Sequence, residues 1–321
     1  MLREIFEDNN KIIINTDIDG FLSGMILKQY FNCEIVGFTN SKDKVWIVEE
    51  YDNIFEPVYI DMFINNPETV CIEQHILAYD NEHLREMNQL NRIGAYARKI
   101  NPNLERGRNS FRGDYYHKYP FGTVHYLISL MEREGIQVQF PELERKKTYN
   151  LNGQQYEICL GQIILRADDA MYSSIGPYRE NAISWWNWLN PDFRYESINR
   201  LIRYLNMCHG EPEARRIKNE TAQFFINGLN CDGGDGAFSE ITDDLGRIQT
   251  RVLKYVEYIN DLMESNIRIP EKYVIHQGRY GTTALNERND ISIGGQDVFS
   301  YAIIASPTGR YNQLSYTIDM C

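Results

Sequence analysis

Cysteine is sparse and never paired in this chain. Cys33, Cys71, Cys159, Cys208, Cys231 and Cys321 are scattered along 321 residues with no Cys-x-x-Cys spacing. That pattern argues against a zinc site or a disulfide framework and fits free thiols in a reducing compartment. Long apolar runs are also missing. Nothing reads as a signal peptide or a membrane span, so the expected location is the cytoplasm, with no membrane partner. Positive charge is short: 33 Lys and Arg stand against 45 Asp and Glu, a net charge of −12. So acidic a chain is not expected to bind along duplex phosphates, which leaves room only for a local basic pocket. Internal repeats and low-complexity segments are absent too.

What is present is enough for a sizeable core, since 43% of residues are hydrophobic. The length exceeds the usual size of one domain. Short apolar runs at Lys11–Asn15, Glu34–Phe38, Pro57–Ile60 and Thr69–Ile72 read as strands, and Phe21–Phe31 and Asn81–Leu90 read as helices. Strand–helix alternation predicts an α/β fold with a doubly wound parallel sheet, its ligand site at the carboxyl ends of the strands. A helix is expected over Val124–Arg133, with Thr123 as its N-cap. Ile163–Ala167 reads as a further strand ending at Asp168-Asp169. Residues 1–190 are expected to form the main domain. A helical connector follows over 191–266, and a small C-terminal α/β domain over 267–321. Val298–Ala305 and Gln313–Ile318 look like the strand pair of that last unit.

The most informative stretch is Ile12-Ile13-Ile14-Asn15-Thr16-Asp17-Ile18-Asp19-Gly20. A buried strand ends in two aspartates one residue apart, followed by a glycine that allows a sharp turn. Like charges held close repel, so such a pair calls for a cation; a solvated turn is the alternative. Acidic or imidazole groups end three more apolar runs: Asp61, then Glu73-Gln74-His75, then Asp168-Asp169. Oxygen ligands with one imidazole suit manganese or magnesium better than zinc. Between Arg106 and Thr123 the chain concentrates Arg106, Arg108, Arg112, His117 and Lys118 with Phe111, Tyr115, Tyr116 and Tyr119. Guanidinium and ammonium groups grip phosphates and aromatic faces stack bases, and the helix start at Gly122-Thr123 adds a place for an anion. A surface loop with tucked aromatics is the plainer reading of the same residues. The acidic loop Cys231–Gly236 lacks EF-hand spacing and reads as a turn. Trp185, Trp186 and Trp188 read as packing residues, and His125 as a structural one.

With these motifs in this order, the chain resembles the DHH phosphoesterase superfamily. That group includes RecJ-type exonucleases, nanoRNases, cyclic-dinucleotide phosphodiesterases and family II pyrophosphatases. Asp17-Ile18-Asp19-Gly20 matches its first motif, Asp61 its second and Asp168 its fourth. The name-giving third motif falls on Glu73-Gln74-His75, where Glu replaces Asp and Gln replaces the first His. The His that often precedes the first Asp pair is also missing; Ile13 and Asn15 stand there. The terminal Gly-Gly-Gly-His segment of relatives is not found, so the last domain is expected to be incomplete.

The resemblance implies metal-dependent hydrolysis of a phosphodiester in a short oligonucleotide or a linear or cyclic dinucleotide. Asp17, Asp19, Asp61 and Asp168 would hold Mn2+ or Mg2+, and His75 and Asp61 would be catalytic. Arg106, Arg108, His117 and Lys118 would bind substrate, with Glu73, Gln74 and Asp169 behind the ligands. A homodimer is compatible with this picture. The alternative is a degenerate relative that binds a nucleotide or a partner protein without catalysis.

Overall fold

The computed structural model describes residues 1–51, 53–76, 81–92, 94, 96–107, 117–176, 178–208, 210–284, 298–305 and 312–320. Helix α1 (Leu2–Asp8) leads into β1 (Lys11–Asn15), where Ile12, Ile13 and Ile14 are wholly buried. A strand covered on both faces needs no polar alternation, which is why it reads as a continuous β-branched run. Helix α2 (Ile18–Phe31) crosses back to β2 (Glu34–Thr39), which pairs parallel to β1, and β3 (Lys44–Ile47) turns antiparallel against β2. The chain then returns to the other side of β1. There it lays down β4 (Val58–Ile60), β5 (Cys71–Ile72) and, after α3 (Asn81–Arg92), β6 (Lys99–Ile100), all parallel. The strand order therefore reverses between β1 and β4. In open α/β sheets, ligands are bound in the crevice outside the carboxyl ends at such a reversal.

Two short helices, α4 (Pro102–Arg106) and α5 (Thr123–Arg133), flank that crevice. A hairpin, β7 (Lys147–Leu151) and β8 (Gln154–Ile158), precedes α6 (Leu160–Arg166) and a 3-10 turn over Ala167–Ser174. The strand expected over Ile163–Ala167 is thus a helix. Leu160, Ile163, Ile164, Leu165 and Ala167 are all buried, so no polar face reveals the helical period, and a short apolar run cannot declare its own geometry. Gln162 fixes the start, its Oε1 accepting from Cys159 N at 3.1 Å. Helix α7 (Tyr178–Leu189) carries the three tryptophans, with Trp185 wholly buried, as their packing role requires.

The remaining helices are α8 (Glu196–Met207), α9 (Glu211–Gln223), which ends in a π turn over Phe224–Gly228, and α10 (Thr250–Met263). Strand β9 (Val274–Gln277) then joins the main sheet antiparallel to β3. Strands β10 (Arg279–Ala284), β11 (Val298–Ala305) and β12 (Asn312–Ile318) make a small antiparallel sheet of order β10-β12-β11. The expected terminal strand pair is there. Tyr301, Ile303 and Leu314 pack with Phe63, Ile76 and Tyr96 in a satellite core, and Phe299 reaches Phe55 and Tyr59 in the main one. The chain is therefore mixed α/β around a mostly parallel sheet. Among the described residues no helix is long and apolar enough to cross a membrane.

Candidate functional site

Asp17 caps α2, whose first residue, Ile18, lies three residues before the expected start of that helix. Its Oδ1 accepts from Gly20 N at 3.0 Å, as N-cap carboxylates do. Asp19, in the first turn of α2, points across the crevice to the start of α5. Its two oxygens accept from Thr123 N at 2.6 Å and Val124 N at 2.8 Å. The anion expected at that helix start is thus a carboxylate of the chain itself, where the helix dipole favours negative charge. Gly122, not Thr123, is the N-cap residue. The Thr123 hydroxyl is released to donate to Asp61 Oδ1 at 2.8 Å. Buried His125 accepts from Gly122 N at 3.1 Å, and burial pushes its pKa down to about 4, which fits a structural role.

Asp61 follows β4 directly and is 2% exposed. Asn15, at the end of β1, donates through Nδ2 to Asp17 at 2.8 Å and to Asp61 at 3.1 Å. Its Oδ1 accepts from Thr16 N at 2.8 Å, which fixes the amide's orientation. Gln74 does the same on the far side, Nε2 donating to Asp168 at 2.7 Å and standing 3.1 Å from His75 Nε2. An amide nitrogen only donates, so His75 carries its lone pair on Nε2 and its proton on Nδ1. Nδ1 lies 3.7 Å from Glu73 Oε2 and 3.9 Å from Asp61 Oδ1. Glu73 itself is wholly buried and accepts from His75 N, from Ile76 N at 3.2 Å and from Asn101 Nδ2 at 2.5 Å. It braces the loop that presents the imidazole.

Asp168 and Asp169 arrive from the end of α6, not from a strand tip. Both adopt left-handed backbone, φ +52° and +55°, as does Asp61 at +62°. Aspartate tolerates that region better than most residues, but three instances at one place are typical of a site whose surroundings hold it in shape. Asp169 accepts from Arg166 and, at 2.7 Å, from Lys218 Nζ. The result is a cavity of about 190 Å3 lined by Asp17, Asp19, Asp61, His75, Asp168 and Asp235, with Arg166 and Asp169 at its wall. Asp235 comes from the acidic turn at Cys231–Gly236; its carbonyl accepts from Ile18 N at 2.9 Å.

Burial first, and then the neighbouring carboxylates, push the carboxyls of Asp17, Asp19 and Asp61 well above the ordinary aspartate range. Burial pushes His75 down, outweighing the upward pull of the Asp168 and Glu73 carboxylates, and Lys118 adds a smaller lowering, so the imidazole is neutral at pH 7. The sign for stability follows. A carboxyl raised in the folded state binds its proton more tightly there than in the unfolded chain. Its contribution is full below the unfolded value of about 4 and is lost as pH rises through the folded value. Metal-free protein is therefore expected to lose stability from about pH 4 upward. Asp17→Asn keeps the cap, removes one charge and should flatten that slope, gaining about 1 kcal/mol at pH 7. Urea unfolding between pH 4 and 8 checks it; equal slopes in parent and variant would mean the carboxylates do not repel.

The basic candidates divide. Lys118 lines a neighbouring cleft that shares Asp168 and Asp169 with the site, and its carbonyl accepts from Asn181 Nδ2 at 2.8 Å. His117 is exposed, and its carbonyl accepts from Trp185 Nε1 at 3.2 Å. Arg106 turns onto α7, with its guanidinium 4.2 Å from the Trp185 ring centre and 3.2 Å from Ser184 Oγ. Arg108, like Phe111, Arg112, Tyr115 and Tyr116, lies outside the described residues. As the side chains stand, the described residues include no group of three or more His, Cys, Asp or Glu arranged to hold a metal ion. The carboxylate oxygens are turned to the amides of Asn15 and Gln74, the Thr123 hydroxyl and the α5 backbone. No protein-family model, no curated protein and no solved structure matches this chain.

Proposed function

We propose that the chain is a metal-dependent phosphodiesterase of short oligonucleotides or dinucleotides, similar to the DHH phosphoesterases, with a doubly wound core. One observation carries the reading. Asp17, Asp19, Asp61 and Asp168, from three separate stretches of chain, meet beside a neutral imidazole at the strand-order reversal. Gathering carboxylates out of water is unfavourable unless something positive neutralises them. The donor set suits a hard divalent cation, Mn2+ or Mg2+, in kind: the carboxylates supply oxygens, and the buried Gln74 Oε1 has no hydrogen-bond partner. Asp17, Asp19, Asp61 and Asp168 would hold the cation, and binding would require the Asn15 and Gln74 donors to give way. When bound, it supplies positive charge against the charge developing on the phosphoryl group.

The chain's own residues would do the rest. His75, neutral and with its lone pair on Nε2, would take a proton there once the Gln74 amide gives way and return it to the leaving oxygen. Glu73 keeps its loop in position. Lys118 offsets the substrate's remaining negative charge, and Asp169, tied to Arg166 and Lys218, steadies the turn that carries Asp168.

The test is hydrolysis of labelled di- and trinucleotides and cyclic dinucleotides with manganese, against the same reaction in chelator. Metal at about 100 times its dissociation constant should also raise stability by about 2.7 kcal/mol, read as a rise in Tm. Absence of both cleavage and Tm gain would sink the reading. A second reading has its own observation. The amides of Asn15 and Gln74 sit where relatives carry imidazoles and already satisfy Asp17, Asp61 and Asp168. A chain so arranged would bind a nucleotide without cleaving it, and nucleotide binding with no hydrolysis under any metal would favour it.

A further inference from the structure

A second cleft, of about 480 Å3, opens beside the carboxylate cavity and shares Asp168 and Asp169 with it. Clefts of about 300–1,000 Å3 take ligands of the size of a nucleotide. This one has a different character from its neighbour. Lys118 and Lys218 contribute two ammonium groups, and Tyr172 and Tyr178 contribute two rings, the second of them 38% exposed. The acidic cavity thus adjoins a cleft in which two ammonium groups stand with the shared Asp168 and Asp169 carboxylates beside two tyrosine rings.

The charges are arranged so that one cation is transferable. Asp169 is paired twice, with Arg166 and with Lys218. Lys218 is also 5.4 Å from the centre of the Tyr172 ring. If Lys218 turns to an incoming anion, Asp169 keeps Arg166, so no carboxylate is stranded. Lys118 is set by its main chain, which Asn181 holds on one side while Asn103 Oδ1 accepts from Tyr119 N at 2.8 Å on the other. Lysine is a strong point-charge partner for phosphate, and a tyrosine face stacks any base.

We propose that this cleft is a nucleoside-monophosphate subsite, with the phosphate between Lys118 and Lys218 and the base on Tyr172 and Tyr178. The proposal rests on the phosphodiesterase reading for its place in catalysis: the subsite would seat the nucleotide unit next to the bond being cut. As a binding site it stands on the cleft alone.

The experiment uses the full chain in chelator, titrated with adenosine 5′-monophosphate, adenosine and inorganic phosphate by calorimetry. The monophosphate should bind at least about tenfold tighter than either fragment. Lys218→Gln should weaken it by about tenfold without changing adenosine binding, and Lys218→Arg should restore it. Tyr178→Ala should weaken the monophosphate and adenosine but not phosphate. A monophosphate no tighter than phosphate, or indifferent to Lys218→Gln in a variant with parental Tm, overturns the subsite. The two readings fail separately. Loss of nucleotide binding with the manganese Tm gain intact removes the subsite alone. Intact binding with neither Tm gain nor hydrolysis removes the phosphodiesterase and leaves the subsite.

Discussion

Asp61→Asn is expected to lower hydrolysis of a labelled dinucleotide by about three orders of magnitude while nucleotide affinity stays within about threefold. The asymmetry comes from where Asp61 sits. It is 2% exposed in the floor of the acidic cavity and lines that cavity only, not the cleft with the two lysines. Asparagine keeps an acceptor for the Thr123 hydroxyl, and Asn15 retains Asp17 as a partner for its Nδ2. The fold should therefore hold, and the loss of a buried like charge offsets the poorer contact with Asn15. What disappears is one of the charges that would keep the cation in place. Turnover and anisotropy measured on the same preparations check the split. Parental turnover in the variant would remove Asp61 from the machinery, and equal loss of binding and turnover would mean that the substitution disturbs the fold.

Gly122→Ala should also be damaging, to both rate and stability, without touching a charge. A Cβ at residue 122 would stand 2.6 Å from Asp19 Oδ2 and 2.7 Å from Oδ1. The backbone there has φ −73°, which alanine adopts freely, so the conflict is one of space. Asp19 cannot swing away cheaply, because Thr123 N and Val124 N hold both its oxygens. Overpacking at such a point costs about 1–3 kcal/mol, and a carboxylate displaced by about 1 Å costs about a hundredfold in rate. A thermal melt and a turnover assay check both parts. A variant with parental Tm and parental turnover would mean that Asp19 is not clamped to the helix start.

The chemistry of single segments was legible in the sequence, and the way segments meet was not. The run Ile12–Ile14 declares a buried strand and the segment after it a helix, but the helix already begins at Ile18 and takes in Gly20, where the glycine suggests a turn. Asp61 and Glu73 were placed correctly after their strands, because an apolar run is a local signature. Asp168 reads as a strand-tip residue because α6 is buried on every side, Gln162 and Arg166 included, and only its capping by Gln162 distinguishes it. Asn15 and Gln74 could be noticed as missing imidazoles, but their role as donors to three carboxylates depends on distances that spacing does not encode. Asp235 stands in an acidic loop that reads only as a turn, and Lys218 carries no signal at all. An aspartate in a glycine-rich turn and a lysine on a charged helix are ordinary, and it is tertiary folding that brings them to Asp17 and Asp169. Arg106 shows the converse: a cation in a basic, aromatic stretch that stacks on tryptophan.

The clamp between Asp19 and α5 also bears on the order in which the molecule forms. Its hydrogen bonds join residues 104 and 105 positions apart, and the bond from Gln74 to Asp168 spans 94. Contacts so distant close late, after local helices and the neighbouring strands have formed. During synthesis Asp17 and Asp19 emerge long before their partners, so the carboxylates remain in water and their repulsion is deferred to the final docking step. Interactions made after the transition state govern how fast a protein comes apart more than how fast it folds. The electrostatic stress of this site should therefore be felt on the unfolding arm. In a chevron measured without metal, Asp17→Asn is expected to slow unfolding and leave the refolding rate unchanged; faster refolding would mean that the acidic cluster assembles early.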